Sequence, residues 1–468
     1  MKKILKKVNL QYIILINMLW RKKETQITAW IKEGKQALLV TGARQVGKTF
    51  LIEECLKKEK IDFVYFNFID QPNLIKIFDS VINEGVDSFI ERISLASSKS
   101  LVRGQTIIFF DEIQMCKEIV TKIKFLVKDG SFKYILSGSL LGVELSDLKS
   151  APVGYLKTIE MYPLDFEEFC VAQGIKETTL KMLKNCFDEV KEVDDFIHAT
   201  LIETFKRYLI IGGMPQAVSE YIREHDFNKV SQIHQDIINQ YRVDFTKYEK
   251  KEKLKLLAIY DLIPSELASD NKRYMISNIN SKAKFNRYEN SFNWLVDAGV
   301  AIPVYNICQP RLPLEINKKS NLFKLFLSDI GLLTTLYGKA TQLAIINDDK
   351  SLNCGAIYEN AVAQELHTHG FKGYYFNSHK QGELDFVIEF NGKVTPIEVK
   401  SGSNYKHHQA LSKISRNPNY GISQAFVLSK RNVSKENDII YYPIYMLMFI
   451  SDEYIILPNQ DKIDLSNL

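Results

Sequence analysis

The chain alternates between short, wholly apolar runs and longer stretches whose apolar residues recur at helical spacing. The first apolar run, Ala37 to Val40, leads into a glycine-bearing loop and then into Phe50, Leu51, Cys55 and Leu56, a helical pattern. A second run, "TIIFFDEIQ", reads as a buried strand that ends in Asp111-Glu112. Further strands are predicted near 63–68, over 132–136 and near 156–161. Strands alternating with helices predict a five-stranded parallel sheet, an α/β domain. Residues 171–250 carry apolar residues at helical spacing and break at Gly212-Gly213-Met214-Pro215, read as a structural turn between helices. Beyond them, "LKLLAIYDLIPSELA" predicts one helix. "RYENSFNWLVDAGV" predicts another, with Tyr288, Phe292, Leu295 and Val296 on one side and Gly299 at its end. "AIPVYNICQ" then starts a strand.

Near the C-terminus, "ELDFVIEFNGKVTPIEVK" (383–400) places two apolar runs around Asn391-Gly392, the signature of a tight β-hairpin. A two-residue turn sets Phe390 opposite Lys393. Asp385 then faces Glu398, and Glu383 faces Lys400. Alternation puts these four charged residues on one face and Leu384, Phe386, Ile397 and Val399 on the other, the core face. Two carboxylates directly opposite repel. A divalent cation between them turns repulsion into ligation, and the lysine beside it can stabilise charge on a phosphate or orient a water. The alternative is a solvated sheet face with one Glu383–Lys400 pair.

At 468 residues the chain is expected to form three or more domains. Its net charge of +5 permits contact with nucleic acid without arguing for it. The six cysteines are scattered and none form CxxC, which points away from a zinc ribbon or disulfide framework and towards a reducing, cytoplasmic setting. The apolar stretch from Val8 to Trp20 is too short to span a bilayer and is interrupted by Asn9, Gln11 and Asn17. Arg21-Lys22-Lys23 follows it, with no small-residue cleavage site. A packed or interfacial helix is expected there, with no integral membrane insertion.

The most specific chemistry lies in Gly42-Ala43-Arg44-Gln45-Val46-Gly47-Lys48-Thr49, a phosphate-binding loop between a strand and a helix. Gly42 and Gly47 let the backbone curl and present its N–H groups, and the helix N-terminus adds a favourable dipole. Lys48 is placed to reach the β- and γ-phosphates of ATP, and the Thr49 hydroxyl to bind Mg²⁺. Asp111, at a strand end, is the expected second Mg²⁺ holder, and Glu112 the general base that polarises the attacking water. Ser137, in "SGS" after the 132–136 strand, is placed to sense the γ-phosphate.

"GARQVGKT", "FFDEIQ", "SGS" with Leu140-Leu141-Gly142, "MYPLDFEEF" (161–169) and "YLIIGGMPQAV" (208–218) together resemble a widespread prokaryotic family of AAA-type ATP-binding proteins. Its C-terminal region is a domain of unknown function resembling PD-(D/E)XK nucleases. The likeness runs from about Arg21 onward. It implies a P-loop ATPase core (36–170) after an N-terminal helical segment (1–35). A helical lid (171–250), a winged-helix-like domain (251–328) and a nuclease-like α/β domain (340–468) follow. The family usually has a basic residue after Pro-Val-Gly, where this chain has Tyr155. No arginine finger is assigned; Arg44, Arg103, Arg207 and Arg242 are candidates. Lys272, Arg273, Lys282, Lys284 and Arg287 precede the second winged-helix element and either meet DNA phosphates or form a solvated face. The nuclease resemblance implies Glu359 on a helix with Asp385, Glu398 and the Val399 carbonyl around Mg²⁺, and Lys400 as the catalytic lysine. The expected function is an ATP-hydrolysing protein whose nucleotide state controls DNA binding or Mg²⁺-dependent cleavage. The alternative is an ATP switch that engages DNA or a protein partner with a silent nuclease fold. A second copy of the chain is a further candidate partner.

Overall fold

The computed structural model describes residues 19–79, 84–97, 99–139, 154–246, 250–349, 352–402 and 404–451. Most of the apolar N-terminal stretch, and Leu140-Leu141-Gly142, lie outside the described residues. The chain divides into two compact units: Met1–Leu180 with Glu203–Pro303 and Leu325–Leu352, and Lys181–Ile202 with Val304–Lys324 and Asn353–Leu468. Among the described residues no helix is long and apolar enough to cross a membrane.

The first unit contains five strands: β1 (Ala37–Thr41), β2 (Phe63–Asn67), β3 (Ile107–Asp111), β4 (Lys133–Ser137) and β5 (Leu156–Glu160). They form the parallel sheet expected, in the order β2-β3-β4-β1-β5. Leu38, Val40, Phe109 and Ile135 pack with Ile27, Trp30, Leu51 and Ile52 of helices Lys23–Glu33 and Lys48–Lys58. Leu39, Phe66, Ile108, Phe110 and Leu136 pack on the opposite face with Phe89, Ile93, Ile119 and Ile123 of helices Val86–Ala96 and Glu118–Asp129. Cover on both faces is why β1 and β3 read as unbroken apolar runs rather than alternating ones. β4 separates β1 from β3, so the carboxyl ends of three neighbouring strands open onto one crevice, the usual ligand position in such sheets.

The helical stretch is observed as Phe166–Ala172, Glu177–Asp188, Asp195–Ile211, Pro215–Glu224 and Phe227–Phe245, with Lys250–Ala268 and Glu289–Asp297 after it. Gly212 adopts φ +64, and Pro215 takes the first turn of its helix, where a missing N–H costs nothing. His234 is fully buried in helix Phe227–Phe245, its ring nitrogens 3.0 Å from the Ile211 carbonyl oxygen and 2.9 Å from Thr335 Oγ1. Burial pulls its pKa down from 6.5 to about 4, against the Ile211 contact. A depressed histidine stabilises the fold above its unfolded pKa and loses that contribution as pH falls towards 4. His234→Gln is therefore expected to flatten this part of the acid response. The difference in urea midpoint between variant and wild type should shrink between pH 6.5 and pH 4.

Strands β6 (Ala301–Ile307), β7 (Lys318–Leu327), β8 (Tyr374–Ser378), β9 (Gly382–Phe390), β10 (Lys393–Val399), β11 (Ala425–Ser429), β12 (Ser434–Glu436) and β13 (Ile439–Pro443) form an eight-stranded mixed sheet. Its order is β12-β13-β11-β10-β9-β8-β6-β7. The β9–β10 hairpin has the predicted register, from Lys393↔Phe390 to Ile397↔Phe386. Asn391 and Gly392 both adopt positive φ, as a type I′ turn requires. The strand predicted from "AIPVYNICQ" is β6, which lies between β8 and β7. β6 pairs in parallel with β8, Tyr305 opposite Tyr374, and its pattern is buried at most positions. Its free N–H and C=O groups find a sheet partner rather than solvent. Of the stretch 251–328, the part up to Pro303 and from Leu325 clusters with the first unit, and Val304–Lys324 with the second.

Candidate nucleotide site and the acidic face of the second unit

The loop after β1 curls through Gly42 at φ +129, Gln45 at φ +65 and Gly47 at φ +88 before helix Lys48–Lys58 begins. Gly42 is required by space as well as by φ, because a Cβ there would lie 2.1 Å from the Met161 carbonyl oxygen. The Lys48 ammonium is buried and donates to the carbonyls of Gly42 (3.0 Å) and Ala43 (2.7 Å). Burial pulls its pKa down to about 8, opposed by the carboxylates of Glu112 and Asp111. Thr49 Oγ1 donates to Asp111 Oδ2 at 2.8 Å, which joins the loop to the end of β3.

Asp111 is 2 % exposed and collects four donors: Thr49, the Ser137 hydroxyl, the Glu112 N–H at 3.0 Å and the Tyr65 hydroxyl at 2.9 Å. Tyr65 was not legible as a site residue. It stands two positions before the end of β2, next to β3, and Asn67 Nδ2 donates to its hydroxyl at 3.0 Å. Glu112 adopts φ +55, and Gln114 Nε2 donates to its carboxylate.

Arg44 pairs with Asp244 at 2.9 Å and donates to Ser139 Oγ at 3.2 Å, and Arg242 pairs with Asp261 at 2.8 Å. Both are anchored within their own unit. Arg103 and Arg207 are exposed. Sequence reading missed Arg21, which is 6 % exposed. It donates to the Val46 carbonyl (2.9 Å), the Tyr162 carbonyl (2.5 Å) and Glu168 (3.0 Å). "MYPLDFEEF" thereby gains a physical meaning. Met161 backs Gly42, and Asp165 and Glu168 form a capping box on helix Phe166–Ala172. Glu168 also anchors Arg21 to the loop; burial and Asp165 push its carboxyl up to about 7, against Arg21. Tyr155 lies at the other end of the sheet, its carbonyl accepting from Ala37 N at the start of β1 (2.9 Å). That is a strand length, about 13 Å, from the loop.

Beside the loop is a cavity of about 170 Å³ lined by Arg21, Gly47, Phe50, Leu51, Pro215 and Gln216, with Leu19, Glu24, Glu54 and Ser219 at its margin. Phe50 is 54 % exposed, an apolar surface left open next to a polar loop.

In the second unit the predicted core-face residues of the hairpin are buried, but β10 is buried on both faces after Lys393, Glu398 included. Leu384, Phe386 and Ile397 are fully buried, and Lys400 Nζ lies 2.7 Å from Glu398 Oε1. Asp385 Oδ2 accepts from Val399 N at 2.8 Å. Glu359, on helix Gly355–Thr368, is 2 % exposed. The unforeseen member is Lys324 of β7, which is fully buried. Its ammonium lies 2.7 Å from Glu383 Oε1, 3.4 Å from Glu359 Oε2 and 5.1 Å from the Tyr375 ring centroid. Burial pulls the Lys324 pKa down, but Glu359, Glu383 and Asp385 more than offset it, so it stays charged. Glu398 Oε2 is buried without a hydrogen-bond partner. Among the described residues no three His, Cys, Asp or Glu side chains are gathered so as to hold a metal ion.

Residues 34–170 match the AAA domain family. Residues 202–343 match a domain of unknown function (DUF8612), and residues 354–447 match another (DUF4143). The chain matches no curated protein. A Walker-type ATPase of Pyrococcus abyssi is 17% identical, with a TM-score of 0.43 over 68% of this chain and 96% of that one. The Thermotoga maritima RuvB Holliday junction branch migration motor is 14% identical, with a TM-score of 0.29 over 63% of this chain and 90% of that one. Cdc6p from Pyrobaculum aerophilum is 12% identical, with a TM-score of 0.27 over 71% of this chain and 95% of that one. These three likenesses are too distant to assign a role. What the comparisons carry is the match of residues 34–170 to the AAA domain family, the segment that folds as the five-stranded parallel sheet with the Gly42–Thr49 loop.

Proposed function

We infer that the protein binds Mg²⁺-ATP in the Gly42–Thr49 loop and hydrolyses it, and that its nucleotide state controls engagement of DNA or a protein partner. The observation that carries the reading is the 2.8 Å contact of Thr49 Oγ1 with Asp111 Oδ2 at the mouth of the loop. Mg²⁺ would be held by these two oxygen donors and would neutralise phosphate charge. The loop N–H groups and Lys48 would hold the phosphates. The apolar cavity beside Gly47 and Phe50 is sized for the base. Tyr65 and Ser137 keep Asp111 oriented, and Glu112 takes the proton of the attacking water. Exposed Lys282, Lys284 and Arg287 before helix Glu289–Asp297 are candidates for phosphate contacts with DNA.

Glu112→Gln keeps the shape of this site and removes the base. Retained ATP affinity with phosphate release lowered by about 10²–10⁴-fold is expected. Undiminished turnover would rule Glu112 out.

For the second unit the silent reading is favoured by Lys324, a fixed charge already among the carboxylates that occupies Glu359. Cleavage, with Asp385, Glu398 and the Val399 carbonyl holding Mg²⁺ and Lys400 beside them, is supported by the unpartnered Glu398 Oε2. Linear, circular and single-stranded DNA and RNA, incubated with varied metals and nucleotides, separate the two. Intact substrates throughout support the silent fold. Products lost in Asp385→Ala support cleavage.

A further inference from the structure

The turn Gly212-Gly213-Met214-Pro215 has more around it than a helix junction needs. Asp329 is fully buried, and its oxygens are taken by main-chain amides: Gly213 N at 2.6 Å and Leu332 N at 3.1 Å, with Gly331 N adding a third donor. Burial pushes its carboxyl up to about 6 even so. The match is close in space as well as in hydrogen bonding. A Cβ on Gly212 would lie 2.3 Å from Asp329 Oδ1, and one on Gly213 would lie 2.0 Å from the Leu164 carbonyl oxygen. Leu164 N donates in turn to the Gly213 carbonyl at 2.7 Å. The turn is thus gripped from both sides, by Asp329 and by the segment that carries Arg21's partners Tyr162 and Glu168.

What the grip positions is the first turn of helix Pro215–Glu224. Pro215, Gln216 and Ser219 form one wall of the cavity whose opposite wall is Gly47, Phe50 and Leu51. A Cβ on Gly47 would lie only 3.7 Å from Pro215 Cγ, so the two walls are already near contact distance. A small retreat of Pro215 opens the cavity and loosens whatever is packed against Phe50.

We propose that Asp329 is a positioning residue of the nucleotide pocket: through the Gly213 amide it sets the wall made by Pro215 and Gln216, and so the affinity for the base. The inference rests on the assignment of nucleotide binding above. A carboxylate is suited to the place because it accepts on both oxygens. In Asp329→Asn the amide nitrogen must face either the Gly213 or the Leu332 N–H, so one bond is lost and a donor meets a donor.

The test uses the full-length protein and a fluorescent ADP analogue. Asp329→Asn is expected to weaken binding about tenfold, the equivalent of one hydrogen bond. KM for ATP should rise in parallel, with kcat at saturation changed less than about twofold, because the Thr49–Asp111–Glu112 side of the site is untouched. Equal affinity in variant and wild type overturns the proposal, as does a fall in kcat at constant KM. Should the variant not fold, hydrogen exchange on the wild type decides. Exchange at Gly213 and Gln216 should slow on ADP addition together with the Gly42–Thr49 amides. Slowing of the loop amides alone overturns the proposal. A wild-type protein that binds no nucleotide overturns this inference and the assignment beneath it; normal binding unaffected by Asp329→Asn overturns this inference only.

Discussion

Lys48→Ala is expected to abolish nucleotide binding while leaving the fold intact. The ammonium bridges the carbonyls of Gly42 and Ala43, so it is held over the curl where phosphates must lie. Arrival of a triphosphate exchanges two neutral acceptors for charged ones, and charge-assisted bonds are about twice as strong as neutral ones. Loss of two such bonds, at about 1.5–3 kcal/mol each, lowers affinity by at least about 100-fold. The fold has little to lose, because burial already disfavours the ammonium and pulls its pKa down. Calorimetry with ATP and Mg²⁺ checks the first half, and a melting curve checks the second. Affinity equal to wild type would refute the site.

Lys324→Met should be the most damaging single change in the second unit. The side chain is fully buried and serves two carboxylates at once, one of them on helix Gly355–Thr368 and one on β9. Removing one partner of a buried ion pair strands the others, and costs about 3–5 kcal/mol. Glu359 and Glu383 would then lose the ammonium that holds them near Asp385. The double variant Lys324→Met, Glu359→Gln should recover part of the loss, since it removes the stranded charge. Mn²⁺ provides a second readout. If Lys324 takes the role a metal would otherwise play, millimolar Mn²⁺ should raise the melting temperature of Lys324→Met and leave the wild type unmoved. A wild type stabilised by Mn²⁺ in a manner lost in Asp385→Ala would instead give the site to a metal.

The two acidic faces show how differently the two units could be read from sequence. The loop of the candidate nucleotide site was legible because its parts are local. "GARQVGKT" carries its glycines, lysine and threonine within eight residues, and each backbone requirement leaves a mark on residue choice, as at Gly42 and Gly47. Asp111, Glu112 and Ser137 were legible for a related reason. They stand at the carboxyl ends of apolar strands, and parallel strands bring those ends together. The hairpin register followed from two residues, Asn391 and Gly392, that tolerate positive φ.

What escaped was long-range. Tyr65, Arg21, Lys324 and Asp329 carry no local signature. A tyrosine within a strand, an arginine after an apolar stretch, a lysine in "LFKLFL" and an aspartate in "SDIG" each look like ordinary surface or strand residues until their partners arrive from 46, 147, 35 and 116 positions away. The neighbour of β6 escaped for the same reason, since nothing in "AIPVYNICQ" says that it pairs with β8.

Sequence alone therefore settled the five-stranded parallel sheet, the phosphate loop with its lysine and threonine, and the tight hairpin, because sterics and hydrophobic period act between residues close along the chain. Only the tertiary structure decided which buried charges are satisfied and by what: Asp111 by hydroxyls and an amide, Glu359 by Lys324, Asp329 by three backbone N–H groups. A buried charge needs a partner at hydrogen-bond distance, and folding, not chain order, brings that partner there.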